Sequence, residues 1–120
     1  MSEMNPQTPS AAQDGKKSIE LHVDLTVDPA KEREMLDNFH NNFRPAASKQ
    51  PGYIEVKLLK LRSSLAGAPP QDANYRFVLI FENEELRQQW VATPTHQKVW
   101  PAFASTLAHD NYTILLYDKF

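Results

Sequence analysis

The sequence contains no cysteine, which excludes disulfides, thiolate nucleophiles and cysteine-based metal sites. It has no run of basic residues and a net charge of −2, whereas a nucleic-acid surface needs clustered Lys and Arg. No apolar stretch approaches the ~18 residues of a membrane span, and the N-terminus lacks the basic and then apolar order of a signal peptide. These absences predict a cytoplasmic protein that binds neither nucleic acid nor a membrane.

The length and composition predict a single folded domain with a tail in front of it. One domain is the default for a chain of 120 residues. Residues 1–17 are rich in Ser, Pro, Gln, Asn and Ala and offer little to bury, so we expect a flexible N-terminal tail or an arm ordered by another subunit. The folded domain is predicted to span residues 18–120.

The first half of this domain begins with a strand and a helix. Residues 19–27 alternate between apolar and polar side chains, which predicts a strand with one apolar face. Asp28-Pro29 is typical of a helix start, and Pro45 predicts a bend before the helix ends near Gln50. Pro51-Gly52 then stops it. The buried stripe of this helix is predicted to be Met35, Leu36, Phe39 and Phe43.

Two further strands follow and form a hairpin. Residues 53–62 predict a strand, with a bulge at Leu58-Leu59, where the alternation slips. Residues 63–73 contain Gly67 and two prolines and predict the hairpin loop. Residues 75–82 are apolar on both faces, as expected of a central strand, and residues 112–117 predict a fourth strand of the same kind.

The stretch from Asn83 to Leu107 holds both tryptophans and predicts two short helices. Asn83 can cap the first helix, and Pro94 both ends it and begins the second after Thr93. Pro101 is expected to kink the second helix or to delay its start. The predicted apolar faces are Leu86, Trp90 and Val91 on the first helix and Val99, Trp100, Phe103 and Leu107 on the second.

The resulting β-α-β-β-α-β order predicts an α+β fold of the ferredoxin-like type, a four-stranded antiparallel sheet with helices on one face. The other face must then expose apolar side chains from the third and fourth strands, which is unfavourable in a monomer. Packing this face against the same face of a second copy removes the exposure, so we expect a homodimer through the sheet.

Three segments resemble antibiotic biosynthesis monooxygenase domains of the dimeric α+β barrel superfamily. They are the turn Gln50-Pro51-Gly52-Tyr53, the segment Phe81-Glu82-Asn83-Glu84-Glu85, and Trp90 followed by His96 after five residues. The resemblance covers residues 18–120. It implies a cofactor-independent monooxygenase that binds a small apolar, aromatic or quinol-type ligand in a cavity between sheet and helices. By position, the cavity is expected to be lined by Trp90, Trp100, Phe103, Phe39 and Phe43, together with the inward-facing residues of the strands.

His96 is the candidate general base, because the pKa of an unperturbed imidazole lies near neutrality. The alternative is that His96 packs or caps at the bend between the two helices. Trp90 is the candidate partner in catalysis, or a core residue. Arg44 is a candidate for holding an anionic group of the substrate, or lies on a solvated face with His40.

Two alternatives to an oxygenase stay open. One is a non-catalytic ligand-binding or stress-associated protein of the same fold. The other is haem binding or degradation, although Trp100 stands about where the haem-degrading relatives carry their ligating histidine, and His96 lies a turn earlier. His22 and Asp24 emerge on one face of the first strand, where they predict a polar network at the dimer interface rather than a metal site, which would need a third ligand.

Overall fold

The computed structural model describes residues 17–120, which form one four-stranded antiparallel sheet with helices packed on one face. The predicted tail lies outside the described residues except for Lys17, and the boundary at residue 18 stays a prediction. The strands are β1 (Ile19–Leu25), β2 (Tyr53–Lys60), β3 (Tyr75–Phe81) and β4 (Thr113–Asp118). The helices are α1 (Glu32–Asn38), a π-helical turn (Phe39–Phe43), α2 (Arg44–Ser48), α3 (Glu84–Val91) and α4 (Pro94–Ala104), with short 3-10 turns at Pro29–Lys31 and Pro70–Asp72.

The strands lie in the order β2-β3-β1-β4, and every neighbouring pair is antiparallel. This confirms the predicted β-α-β-β-α-β architecture. The register pairs His22 with Val78 on one side and with Leu115 on the other. Since side chains directly opposite one another share a face, these three residues project from the same side of the sheet.

Several strand ends and the bulge differ from the sequence prediction. β3 ends at Phe81, one residue early, and β4 is shifted by one residue to Thr113–Asp118. β1 ends at Leu25 rather than Val27, because the side chain of Asn74 bonds both backbone groups of Val27 at 2.8 Å and replaces the strand partner there. β2 ends at Lys60 rather than Arg62. The bulge predicted at Leu58-Leu59 is wrong: the register shifts between Tyr53 and Glu55 instead. At that point the N–H of Val56 donates to the Tyr53 hydroxyl at 3.0 Å.

The predicted bend in the first helix is a π-helical turn between α1 and α2. The N–H of Arg44 bonds the carbonyl of Phe39, five residues earlier. Pro45 follows directly, and its ring would clash with the carbonyl four residues back in a regular α-helix. The wider π turn relieves that clash and keeps Phe39 and Phe43 buried on one side.

The aromatic core lies between the sheet and the helices. Phe77 from β3 is the central ring, and it contacts Phe39, Phe43, Trp100 and Phe103 with ring centroids 5.2 to 6.2 Å apart. Most of these contacts are edge-on or tilted, the arrangement that aromatic quadrupoles prefer. The fully buried side chains of this core include Trp90, Phe39, Phe43, Phe77, Phe81 and Phe103.

The helices α3 and α4 begin where the sequence predicts. The Asn83 side chain accepts from the N–H of Leu86 at 2.9 Å, and the Thr93 hydroxyl accepts from the N–H of His96 at 3.1 Å. Pro101 lies inside α4 without delaying its start at Pro94. The turn before β2 needs Gly52, whose φ is +86° and where an added Cβ would lie 2.5 Å from Leu86 Cδ1. This contact brings the Pro51-Gly52 turn directly against α3.

The open face is the side of the sheet that carries no helix, and it is mixed in character. Leu59, Leu115 and Tyr117 are between 44% and 48% exposed on it. Asp24 and Arg76 form an ion pair there at 2.9 Å.

None of the helices formed by residues 17–120 has the length and apolar character that a membrane crossing requires.

Candidate functional site

An apolar cavity of about 190 Å³ lies between the sheet and the helices α3 and α4, at the side where β4 forms the sheet edge. Residues from β1, β3, β4, the π-helical turn, α3 and α4 form its wall. The lining residues are Leu21, Val23, Phe43, Phe77, Leu79, Arg87, Val91, His96, Trp100 and Ile114. Arg87 and His96 are the only members of this set that carry polar side chains.

Two larger depressions lie on the surface and do not have this character. One, of about 690 Å³, runs beside the loop from Leu61 to Pro70 and is widely open to solvent. The other, of about 530 Å³, is lined by the polar outer side of the first helix, including Arg33 and Asp37. A small aromatic ligand gains most from an enclosed apolar wall with a few polar groups. We therefore take the smaller cavity as the candidate site.

His96 is placed at this cavity by the start of α4. Its backbone is fixed by the Thr93 cap, and its ring lies edge-on to Trp90 with centroids 5.0 Å apart and an interplanar angle of 89°. Burial, and secondarily the positive charge of Arg87, lower the pKa of His96 below its ordinary value. The imidazole is therefore neutral at neutral pH, which is the form that can accept a proton.

Arg87 reaches the cavity from α3 and is held by Glu84, one turn earlier. Its Nε and Nη2 donate to the two carboxylate oxygens of Glu84, both at 2.6 Å. Gln88 donates to the same carboxylate at 2.9 Å. The hydrogen bonds from Arg87 lower the pKa of the Glu84 carboxyl, and the same pairing raises the pKa of Arg87. Both groups are thus charged across the neutral range.

The residues predicted from the sequence separate into three sets. Phe43, Trp100 and His96 line the cavity. Phe39, Phe103 and Trp90 do not line it; they form the fully buried layer behind its wall. Arg44 is exposed on α2 and His40 is exposed on the π-helical turn, so neither lies at the cavity.

Arg87 and Val91 are the lining residues that the sequence did not predict at the cavity. The strand residues Leu21, Val23, Phe77, Leu79 and Ile114 occupy the inward positions that were expected in its wall. A signal for Arg87 was present, since it lies four residues before Val91, which belongs to the predicted apolar face of this helix. A charged residue on a predicted amphipathic helix is normally assigned to the solvated side, which is why the pattern pointed away from it.

His22 and Asp24 lie on the open face and join separate pairs. His22 Nε2 lies 3.0 Å from Glu20 Oε1, and its ring contacts Tyr117 edge-on at 4.9 Å. Asp24 pairs with Arg76. Within residues 17–120, no group of three or more His, Cys, Asp or Glu side chains is arranged to hold a metal ion.

Comparison with known proteins identifies relatives of this architecture. The sequence model of the antibiotic biosynthesis monooxygenase family matches residues 18–101. No curated protein sequence matches the chain significantly. Among solved structures, a candidate antibiotic biosynthesis monooxygenase from Caulobacter crescentus superimposes with a TM-score of 0.70 at 16% identity, over 91% of this chain and 95% of that one.

Two further structures are similar in fold. SnoaB, a cofactor-independent oxygenase from Streptomyces nogalater, has a TM-score of 0.60 at 14% identity, over 86% of this chain and 91% of its own. A dimeric ferredoxin-like protein of unknown function from Jannaschia has a TM-score of 0.69 at 13% identity, over 85% of this chain and 99% of its own. At these identities the likeness is one of fold.

Proposed function

Because the chain belongs to the antibiotic biosynthesis monooxygenase family, we propose that it is a cofactor-independent monooxygenase of a small phenol or quinol. The substrate would bind in the cavity between the sheet and the helices α3 and α4. The observation that carries this proposal is the half-buried His96, neutral at neutral pH, in a wall that is otherwise apolar apart from Arg87.

The size of the cavity favours a substrate with a single aromatic ring. Its volume is about 190 Å³, below the ~300 Å³ at which pockets for drug-sized ligands begin. An apolar cavity of about 150 Å³ is sufficient to bind benzene. Phe43, Phe77 and Trp100 supply aromatic walls that suit such a ring by stacking or edge contacts.

In the proposed reaction, His96 acts as general base and the substrate itself reduces dioxygen. His96 accepts the proton of the phenolic O–H, and the electron pair of that bond stays on the substrate as a phenolate. A ring carbon then bonds to dioxygen and loses its hydrogen. One oxygen atom becomes the carbonyl oxygen of a quinone, and the other leaves as water with the two hydrogens lost from the substrate. The substrate supplies all four electrons.

The largely apolar wall of the cavity supports this chemistry, because it limits the contact with water of a phenolate that delocalises its charge onto carbon. Trp90 is proposed to act indirectly. It contacts the His96 ring edge-on from the buried layer, so it would position the imidazole rather than contact the substrate.

The proposal includes a homodimer that packs through the open face of the sheet. The support is the exposure of Leu59, Leu115 and Tyr117 on that face, together with the dimeric ferredoxin-like protein that shares the fold. A second copy would cover these side chains with the same surface. The cavity lies on the opposite side of the sheet, so each subunit would keep its own site.

The test is oxygen uptake with a panel of single-ring hydroquinones and phenols, with anthrones as larger comparators. The wild-type protein should consume oxygen with at least one single-ring compound, and His96→Gln should lose about 10²-fold or more of kcat/KM, the usual contribution of a general base. His40→Gln is the matched control, since that histidine is exposed and away from the cavity. On the acid side, kcat/KM should fall at a pH below the ordinary pKa of histidine, ~6.5.

Other outcomes of these measurements would indicate a different function or a different catalytic residue. No uptake combined with tight binding of an apolar dye would indicate a non-catalytic binding protein. A shifted and sharpened haem absorption band on titration would indicate a haem-binding protein. Uptake that is unchanged in His96→Gln would remove His96 from the mechanism.

A further inference from the structure

Among the residues that the structure describes, Arg87 is the only charged side chain in the wall of the cavity, and the reaction proposed above gives it no role. Its side chain is 18% exposed, and that of its partner Glu84 is 33% exposed. The outer side of α1 carries a comparable pair, Arg33 and Asp37, whose side chains are 89% and 58% exposed. An ion pair of the exposed kind contributes little, whereas the pair on α3 holds a guanidinium against an apolar site.

The chemistry proposed for this cavity creates a negative charge. Transfer of the phenolic proton to His96 leaves an oxyanion on the substrate, in a place where water is scarce. An isolated anion in apolar surroundings is strongly disfavoured. A donor that is already oriented before the charge appears lowers this cost most effectively, since it needs no reorganisation during the reaction.

Arg87 has the donors for this role. A guanidinium carries five N–H groups, and Glu84 uses two of them, through Nε and Nη2. Within the part of the chain that the structure describes, the Arg87 guanidinium makes no other hydrogen bond. The bidentate contact with Glu84 fixes the plane of the guanidinium, and the remaining N–H groups are available to a ligand in the cavity.

We propose that Arg87 is the oxyanion-stabilising residue of this site and that Glu84 is its positioning residue, so that the cavity selects single-ring compounds whose reactive oxygen ionises. This inference rests on the proposed oxygenase function for the reaction it serves. In this reaction the His96 imidazole removes the proton, and the Arg87 guanidinium donates hydrogen bonds to the oxygen that has lost it. A neutral ring of the same shape would fill the cavity without using either group.

The experiment compares two ligands that share the same nitro-substituted ring and differ in whether their ring oxygen substituent can ionise. 4-Nitrophenol reports its own ionisation by visible absorption, and 4-nitroanisole, its methyl ether, cannot ionise. Binding of both is measured to the full-length wild type, to Arg87→Gln, and to the matched control Arg33→Gln, at a pH where free 4-nitrophenol is half ionised. Circular dichroism verifies that each variant folds.

An opposite charge within hydrogen-bonding range typically lowers the pKa of an acid by ~1–3 units. In the wild type, the pKa of bound 4-nitrophenol should therefore lie below that of the free compound. In Arg87→Gln it should rise by about 1 unit or more, and affinity for the phenolate should fall by about tenfold or more. Affinity for 4-nitroanisole should not change, and Arg33→Gln should behave as wild type with both ligands.

Three outcomes would overturn the inference. If Arg87→Gln binds the phenolate as tightly as the wild type, Arg87 has no such role, and the oxygenase proposal stands without it. If Arg87→Gln weakens both ligands equally, Arg87 only shapes the cavity wall. If the wild type binds neither ligand, the inference and the proposed function fail together. Arg87→Met, which keeps the apolar stem, replaces Arg87→Gln if the latter does not fold and must show the same selective loss.

Discussion

On the helix-covered face of the sheet, Phe77 and Leu79 of the inner strand β3 are 1% and 3% exposed, although Ile114 and Leu116 of the edge strand β4 are 50% and 46% exposed. On the open face, Leu115 and Tyr117 of β4 are 44% and 48% exposed, and no helix packs over them. Both faces are built by the same strands, and the alternation of side chains along each strand separates them. The covered face contains the aromatic core and the cavity. The open face combines apolar side chains with two close polar pairs, Glu20 with His22 and Asp24 with Arg76.

The difference indicates that the covered face contributes to the folding of each chain, whereas the open face contributes to association between chains. Burial of the aromatic core is part of the folding of each chain. Among the apolar side chains of the open face, Val78, at 2% exposure, is already buried between its neighbours on the adjacent strands. The remaining apolar area becomes buried only if a second surface covers it. Substitutions on the covered face should therefore change the stability of the subunit, and substitutions on the open face should change its association.

The largest effect is expected from Phe77→Ala. Phe77 contacts four other rings of the core, and removing a buried phenyl ring typically costs ~3–5 kcal/mol. Urea denaturation should show that loss in the free energy of unfolding. Val78→Ala, the next residue on the opposite face, should cost clearly less. Equal losses at the two positions would contradict the distinction between the faces.

The second effect concerns association through the open face. Leu115→Lys would place a charge within the proposed dimer interface, and we expect the dimer dissociation constant to rise by about tenfold or more. The free energy of unfolding of the subunit should change by no more than ~0.5 kcal/mol, as is usual at a surface position. Sedimentation velocity over a micromolar dilution series measures the first, and urea denaturation the second.

The control for that experiment is Leu65→Lys in the hairpin loop. Leu65 is 98% exposed and lies away from the strands that build the open face, so this variant should associate as the wild type does. A wild-type protein that sediments as a single subunit at micromolar concentration would contradict the proposed dimer. Equal weakening by both lysine variants would indicate a general effect of charge instead.

The architecture was predictable from the sequence because it depends on patterns that each strand and helix carries alone. Alternation gave the strands, and the caps at Asn83 and Thr93 gave the helix starts. The bulge was misplaced because the hydrogen bond from Val56 to the Tyr53 hydroxyl leaves no mark on the apolar pattern. The end of β1 was misplaced because Asn74, far along the chain, bonds Val27.

The site was only partly predictable, for a related reason. His96, Trp100 and Phe43 were expected at the cavity by their chemistry and by resemblance, and they line it. Phe39 shares a helix face with Phe43, and Phe103 shares one with Trp100. Phe39, Phe103 and Trp90 nevertheless lie one layer deeper, and periodicity alone does not distinguish the wall of a cavity from the core behind it. The position of Arg87 at the cavity depends on how α3 is rotated about its axis against the sheet, and that rotation is determined by packing rather than by the local sequence pattern.

A smaller loss is expected from Asp24→Asn on the open face. The Asp24 side chain is 8% exposed and its partner Arg76 is 46% exposed, so Arg76 can turn to water when the ion pair is lost. We expect a decrease of about 1 kcal/mol in the free energy of unfolding, near the lower end for a hydrogen bond to a charged group. Urea denaturation at low and at high salt measures this free energy, since urea itself adds no salt. The difference between variant and wild type should shrink as salt screens the ion pair. A loss as large as that of Phe77→Ala would contradict the view that the open face adds little to subunit stability.

The smallest effect is a dependence of stability on pH that arises from the covered face. Burial and Arg87 lower the pKa of His96 in the folded protein, so on acidification the unfolded chain binds this proton first. The free energy of unfolding should therefore fall as the pH drops below ~6.5, the ordinary pKa of histidine, and this contribution should level off below the folded pKa. Urea denaturation in small pH steps measures the slope, and His96→Gln should remove it.

Glu84 titrates at a lower pH, because its pKa is depressed from an ordinary value that is already acidic, so the two contributions are separable. Arg87→Gln should reduce the slope without abolishing it, since burial is the larger cause; an unchanged slope in His96→Gln would show that the imidazole is not held in its neutral form by the core.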